Sequence, residues 1–265
     1  YNVAIGYQAG ENVSTGVQNT IIGGNAGIAL TAGGANVAVG YEALKTEDAH
    51  GNNTAIGYQA LKMQDAGADA YNTAVGFAAG TAMTTGVENT LIGGLAGDAL
   101  TSGGSNVAVG YAALSSEDGD GQNVAVGWKA LENLNAGAQG RHVAIGYNAG
   151  NDLTTGRWNN LIGAFAGDSL TVGNANIAIG FQALAAEDDH GKNVAIGYNA
   201  LEIQDAGADA YNIGIGYDVG KLITTGICNT LIGGLAGDAL TTGSYNIAIG
   251  HQTLTTEDGN GRNIA

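Results

Sequence analysis

The stretch Asn2–Gly10 has the sequence NVAIGYQAG, and near copies follow as NVAVGYEAL at Asn36–Leu44 and NTAIGYQAL at Asn53–Leu61. A unit that opens on Asn recurs along the whole 265-residue chain. Three spacings of about 17 residues and one of about 19 residues make a super-repeat of about 70 residues, and such self-similarity indicates a repeat architecture rather than a domain with one central core.

Positions within a unit are numbered from its opening residue, so that offset +1 is the residue that follows it. It is Asn in every unit except one, in which His142 takes its place. The opening residues are Asn2, Asn19, Asn36, Asn53, Asn72, Asn89, Asn106, Asn123, His142, Asn159, Asn176, Asn193, Asn212, Asn229, Asn246 and Asn263.

Each unit predicts one short strand followed by turns. Offset +3 is Ile or Val and offset +4 is Gly in all fifteen complete units, and offset +1 is almost always Val, Ile or Thr. Short β-branched segments that end at Gly are typical of strands, whereas Gly at fixed positions argues against helices. We therefore predict an all-β fold, a parallel β-solenoid (β-roll or β-helix) over residues 1–265. No polar cap is evident at either end, so we expect a segment of a longer repeat array.

In-register stacking places equivalent residues above one another. The Asn residues would form an amide ladder at one corner of the coil. Offsets +8 and +11 also compensate for each other. The first two units of each super-repeat carry Gly at +8 and a bulky apolar residue at +11, as in Gly10 with Val13. The other two units carry Leu at +8 and usually a polar residue at +11, as in Leu44 with Glu47. An interior of constant volume requires such an exchange.

Composition excludes several functions. The net charge of −16 argues against nucleic acid as a partner, and no apolar stretch is long enough for membrane insertion. The single cysteine, Cys228, allows no internal disulfide. The histidines and Cys228 form no recognisable catalytic set, so we predict no enzymatic activity, no catalytic, cofactor or metal residues, and no required cofactor.

Acidic loops are the one feature that raises a metal question. TEDAHG, which begins at Thr46, recurs with variation in every super-repeat, and stacking would bring Glu47 and Asp48 near Asp65 and Asp69 of the next unit. Calcium favours such clusters of oxygen ligands. The alternative, which the sequence favours, is a solvated acidic edge that maintains solubility and prevents lateral association.

An aromatic column occupies offset +5 in most units. It is either a platform on which sugars stack or a structural ladder at a corner of the solenoid, and its regularity favours the structural ladder. Its members are Tyr7, Tyr41, Tyr58, Phe77, Tyr111, Trp128, Tyr147, Phe181, Tyr198 and Tyr217.

The segments NVAIGYQAG and NTAIGYQAL resemble the head repeats of trimeric autotransporter adhesins, and similar arrays occur in phage tail fibres. The resemblance implies a left-handed parallel β-roll, three chains around one axis, and a role in attachment. Neither strand face is charged, and one narrow interior can hold only one of them, so the residues also favour burial of the other face against a second chain. We expect an extracellular homotrimeric fibre on a cell surface or virion, with a host glycan or protein receptor as its further partner. The main alternative is a self-assembling filament of a matrix or surface coat.

Overall fold

The computed structural model describes residues 1–119, 121–137 and 140–265, and over these residues it contains fifteen strands of three residues each. They are β1 (Val3–Ile5), β2 (Thr20–Ile22), β3 (Val37–Val39), β4 (Thr54–Ile56), β5 (Thr73–Val75), β6 (Thr90–Ile92), β7 (Val107–Val109), β8 (Val124–Val126), β9 (Val143–Ile145), β10 (Asn160–Ile162), β11 (Ile177–Ile179), β12 (Val194–Ile196), β13 (Ile213–Ile215), β14 (Thr230–Ile232) and β15 (Ile247–Ile249).

The chain divides into two compact units, the first essentially Tyr1–Lys129 and the second Ala130–Ala136 with Gly140–Ala265. In the first unit, β1 to β8 pair in chain order, every pair parallel and in register, so that Ala38 lies opposite Ala55. In the second unit, β9 to β15 pair in the same way. The predicted parallel β-solenoid is confirmed. No helix among the described residues is long and apolar enough to cross a membrane.

The strand face that points inward is the one at offset +2. Ala38 and Ala55 are fully buried, and so are the larger residues Ile21 and Leu91 at the same offset. The β-branched residues at +1 and +3 point outward instead and are mostly half-buried or exposed. The sequence predicted two uncharged faces, and the structure assigns the small one to the interior.

The predicted exchange of volume between +8 and +11 is confirmed. At Gly80, an added Cβ would lie 2.8 Å from Leu91 Cδ1 and 2.9 Å from Leu61 Cδ2. Glycine is required there because leucines of the preceding and following coils already fill the space. Met83, at offset +11 of the same coil, is fully buried and completes the layer.

The amide ladder is also confirmed. Asn89 Nδ2 donates to the carbonyl of Gly103 at 2.9 Å, and its Oδ1 accepts the backbone N–H of Asn106 at 2.9 Å. His142 reproduces both contacts with a ring. Its Nε2 lies 2.8 Å from the Gly156 carbonyl oxygen, and its Nδ1 accepts the Asn159 N–H at 3.2 Å. This pattern requires the neutral Nε2–H tautomer.

The glycine at +4 is needed for both conformation and space. Gly40 has φ +136°, and a Cβ there would run into the carbonyl oxygen of Gly57 on the next coil. An L-residue is disfavoured at such a φ. The strand therefore ends at offset +3 in each coil that carries this glycine.

Candidate functional site

The outward strand face is uncharged throughout both units. Offset +3 carries only Ile or Val, and offset +1 carries only Val, Ile, Thr or Asn. Within the first unit, Ile56 and Ile92 are 37% and 40% exposed, which is high for side chains of this size. A chain of net charge −16 thus keeps its acids away from this face. Large uncharged surfaces of this kind mark interaction sites.

The aromatic column is a stacked ladder. Tyr58 lies between Tyr41 and Phe77, with ring centroids 5.6 and 5.2 Å away and planes within 17° of parallel. Phe165, which belongs to offset +6, fills a gap in the column by edge contacts with Tyr147 and Phe181. The stacking confirms the ladder, although its rings remain about half exposed.

One region of the second unit departs from this regularity. Arg157 and Trp158 stand where the other super-repeats carry Val17–Gln18, Val87–Glu88 and Ile227–Cys228. They line a shallow recess of about 650 Å³ together with Asn174 and Lys192. Trp158 is 54% exposed, and Asn174 Oδ1 accepts the backbone N–H of Arg157 at 2.9 Å. An exposed indole can stack on the ring of a ligand, and the amide and charged groups beside it can form hydrogen bonds with that ligand.

The acidic loops form mixed clusters that contain histidine. Glu47, Asp48 and His50 follow β3, and Asp65 follows β4 on the next coil. One ligand atom from each of these four residues lies within 4.8 Å of all the others. The predicted approach of Glu47 and Asp48 to Asp65 is thereby confirmed. Asp69 has another role, because its Oδ1 accepts the backbone N–H of Gly51 at 2.9 Å.

Glu47 is the buried member of this cluster, with no exposed side-chain surface. Its Oε1 accepts the backbone N–H of His50 at 3.1 Å, and His50 Nδ1 lies 3.5 Å from the same oxygen. Neither Glu47 Oε2 nor His50 Nδ1 has a hydrogen-bond partner among the described residues. The expected solvated acidic edge is therefore wrong for this glutamate, because offset +11 faces the interior in every type of coil.

The same arrangement recurs two super-repeats later, in the second unit. One ligand atom from each of Glu187, Asp188, His190 and Asp205 again lies within 4.8 Å of the others. Glu187 Oε1 accepts the His190 N–H at 3.2 Å, and its Oε2 lies 3.4 Å from Asn193 Nδ2. His190 Nδ1, like its counterpart, has no hydrogen-bond partner among the described residues, and it lies 3.8 Å from Glu187 Oε1.

Burial dominates the electrostatics of both glutamates. Desolvation raises the pKa of the Glu47 carboxyl, against the opposing effect of the His50 amide. The same cause raises the pKa of Glu187 to about 7, with a further contribution from the negative charge of Asp205. A buried carboxylate of this kind is stabilised by a nearby positive charge.

The other two acidic loops differ in composition. Asp120, at the position equivalent to His50, lies outside the described residues, and Asn135 replaces the aspartate of the next coil. In the last loop Asn260 replaces the histidine, and its backbone N–H and Nδ2 donate to the two oxygens of Glu257 at 2.7 and 3.4 Å. The histidine is thus what distinguishes the two complete clusters, and sequence reasoning missed it by treating histidines only as candidate catalysts.

The remaining candidate residues are structural or isolated. His142 belongs to the amide ladder, and Cys228 is a half-buried free thiol. The paired threonines bond between coils, as when Thr84 Oγ1 donates to the Thr101 carbonyl at 3.2 Å. Comparison with family models, with curated proteins and with solved structures gives no match to this chain.

Proposed function

We propose that this chain is a structural, non-catalytic segment of an extracellular attachment fibre, and that three copies associate through their outward strand faces. The single observation that carries the proposal is the uncharged, β-branched face at offsets +1 and +3. Its residues alternate along each strand with the residue at +2, which points into an interior that is already filled. They therefore lie outside the core of their own chain. Their burial against another surface would contribute about 25 cal/mol for each Å² of apolar area removed from water.

A second copy of the same chain is the partner best matched to this face. The columns repeat once per coil, at the spacing of paired strands of about 4.8 Å. Only a surface with the same repeat can fit side chain against side chain over many coils, and each copy of the chain offers one. Symmetric association of identical chains is also the common solution for oligomers. The resemblance to adhesin heads and tail fibres adds the number of chains and the role in attachment.

The test is the mass of the protein in solution, measured by light scattering and sedimentation over a range of concentrations. We expect a trimer whose mass does not depend on concentration. The double variant Ile56→Lys with Ile92→Lys places charge on the strand face and should give a monomer. Val17→Lys is the matched control, because Val17 is 51% exposed but lies off that face, and it should remain trimeric.

A monomeric wild-type protein would refute the association. So would a trimer that tolerates both lysines in the strand face. Mass that rises steadily with concentration would favour the alternative of a self-assembling matrix or coat filament.

For the attachment role we propose a glycan as ligand, bound at the recess that contains Trp158. Carbohydrate rings stack on exposed indoles, and the amide and charged groups beside Trp158 can bond to hydroxyls. The test is binding to a glycan array, with Trp158→Ala as the variant and Trp128→Ala, in the aromatic ladder, as the control. We expect loss of binding in the first only. Retention by both variants, or no binding by the wild-type protein, would refute the glycan site.

A further inference from the structure

We propose that the two histidine-containing clusters, Glu47–Asp48–His50–Asp65 and Glu187–Asp188–His190–Asp205, each bind one divalent first-row transition-metal ion such as Zn²⁺. This inference is independent of the proposed function. It identifies a class of ion that the acidic character of the loops alone does not indicate.

The donor set selects the ion. Each cluster offers one imidazole nitrogen and three carboxylates, all within 4.8 Å of one another. Calcium and magnesium take oxygen ligands, whereas imidazole suits zinc and its neighbours. Zinc accepts both His nitrogen and Asp or Glu oxygen at about 2.0–2.2 Å. The four donors come from two successive coils, and three of them stand on exposed or half-exposed loops, where side-chain rotation can bring them to one ion.

The unsatisfied atoms of the first cluster point to a cation as ligand. Glu47 is completely buried, yet among the described residues its Oε2 receives no hydrogen bond, and His50 Nδ1 makes no hydrogen bond although it lies 3.5 Å from Glu47 Oε1. Leaving a charged group buried and uncompensated is costly, which is why such groups are paired or coordinate metals. A metal ion would neutralise the carboxylate and use the free ring nitrogen at the same time.

The last acidic loop shows what the chain does without a histidine. There Asn260 supplies donors to both oxygens of Glu257, which is half-buried in this last coil. The substitution His50→Asn therefore reproduces an arrangement that the chain already contains. This makes it a suitable variant, since it removes the nitrogen ligand while it offers the glutamate new donors.

A bound ion would also act mechanically. Glu47, Asp48 and His50 belong to one coil and Asp65 to the next, so coordination would join successive coils at their outer loop. The equivalent residues of the second cluster would do the same in the second unit. Binding to the folded state alone would raise the thermal stability in proportion to the logarithm of ion concentration.

The test is calorimetric titration of the full chain, stripped with chelator, with Zn²⁺ and in parallel with Ca²⁺. We expect two Zn²⁺ ions per chain, one in either His50→Asn or His190→Asn, and none in the double variant. His142→Asn and His251→Asn are matched controls that remove histidines outside the clusters, and both should keep two ions. Circular dichroism checks that each variant is folded.

A second measurement needs no variant. In the wild-type protein, Zn²⁺ should shift the imidazole proton resonances of His50 and His190 and leave those of His142 and His251 in place. The proposal is overturned if the double variant still binds two Zn²⁺ ions, if no saturable Zn²⁺ binding occurs, or if the shifted resonances belong to the other histidines. Equal binding of Ca²⁺ that survives the double variant would also overturn it, in favour of an oxygen-only site.

Discussion

Replacement of His142 by Asn should remove a pH-dependent weakness from the amide ladder. His142 is fully buried and holds the place that Asn takes in the other coils. Its Nδ1 accepts the Asn159 N–H, and its Nε2 donates to the Gly156 carbonyl. A protonated ring would have to abandon the first of these bonds, because both nitrogens would then be donors.

The magnitude follows from the pKa. Burial lowers the pKa of His142 from 6.5 to about 4, against the weaker raising effect of its bonds to Gly156 and Asn159. Between these values the unfolded chain binds a proton that the folded chain does not. The stability due to the neutral ring is therefore complete above pH 6.5 and is lost as the pH falls towards 4. From pH 7 to pH 5 the loss is about 2 kcal/mol, and it reaches a limit of about 3 kcal/mol at lower pH.

The assay is guanidinium unfolding of wild type and His142→Asn at pH 7 and pH 5, with chelator present. Every other titrating group is common to both proteins, so the difference between their pH effects isolates His142. We expect the wild type to lose about 2 kcal/mol more than the variant. His251→Asn alters an exposed histidine outside the amide ladder, and the stability of this control should depend on pH as that of the wild type does.

An independent readout is the titration of the His142 ring protons by NMR, which should have its midpoint near pH 4. The reasoning is refuted if the variant and the wild type lose equal stability on acidification. It is equally refuted if the ring of His142 titrates in the range of an ordinary histidine while the protein is folded.

Other substitutions test the coil itself. Gly40→Ala should lower the free energy of unfolding in urea by about 3 kcal/mol or more, because both its φ and the carbonyl of Gly57 on the next coil exclude a Cβ. Gly67→Ala is the control, because open space surrounds Gly67, and it should lower the free energy of unfolding by only about 1 kcal/mol. Asn89→Ala should cost about 3 kcal/mol by leaving a buried N–H and a buried carbonyl without partners, while Asn12→Ala, whose bond is exposed, should cost under about 1 kcal/mol. Tyr58→Ala should cost about 2 kcal/mol through the loss of two stacked neighbours, and near-ultraviolet circular dichroism should report the broken ladder. Equal effects within either matched pair would contradict the stated causes.

The architecture could be predicted because each coil repeats the same constraints. Asn at a fixed position, Gly at +4 and β-branched residues between them leave little choice other than an in-register stack. The ladder contacts of Asn89 follow directly, since residues that repeat along the sequence must lie above one another. Even the aromatic stack of Tyr41 with Tyr58 needed no further information.

The direction of the strand faces was harder to predict, because both faces are uncharged. The deciding signal is that +2 is bulky only in the second unit of each super-repeat, as Ile21 or Leu91, and that +8 is Gly both in that unit and in the unit before it. An exchange between +2 and +8 is meaningful only if both positions share one interior. Ile at +3 is large enough to suggest a core residue, but no other offset changes size to compensate for it, and it lies on the outward face.

The same argument explains why acidity alone could not single out the two histidine-containing clusters. Offset +11 points inward in every type of coil, so its occupant must suit an interior. Leu134 does so as an apolar residue, and Gln64 does so by accepting the Asn72 amide at 3.0 Å. Glu47 has neither solution, because its side chain is an ionisable carboxyl and leaves one oxygen without a donor. A glutamate at this interior position therefore indicates that a positive charge is required nearby, and the histidine three residues later supplies the nitrogen that identifies which kind of ion can provide it.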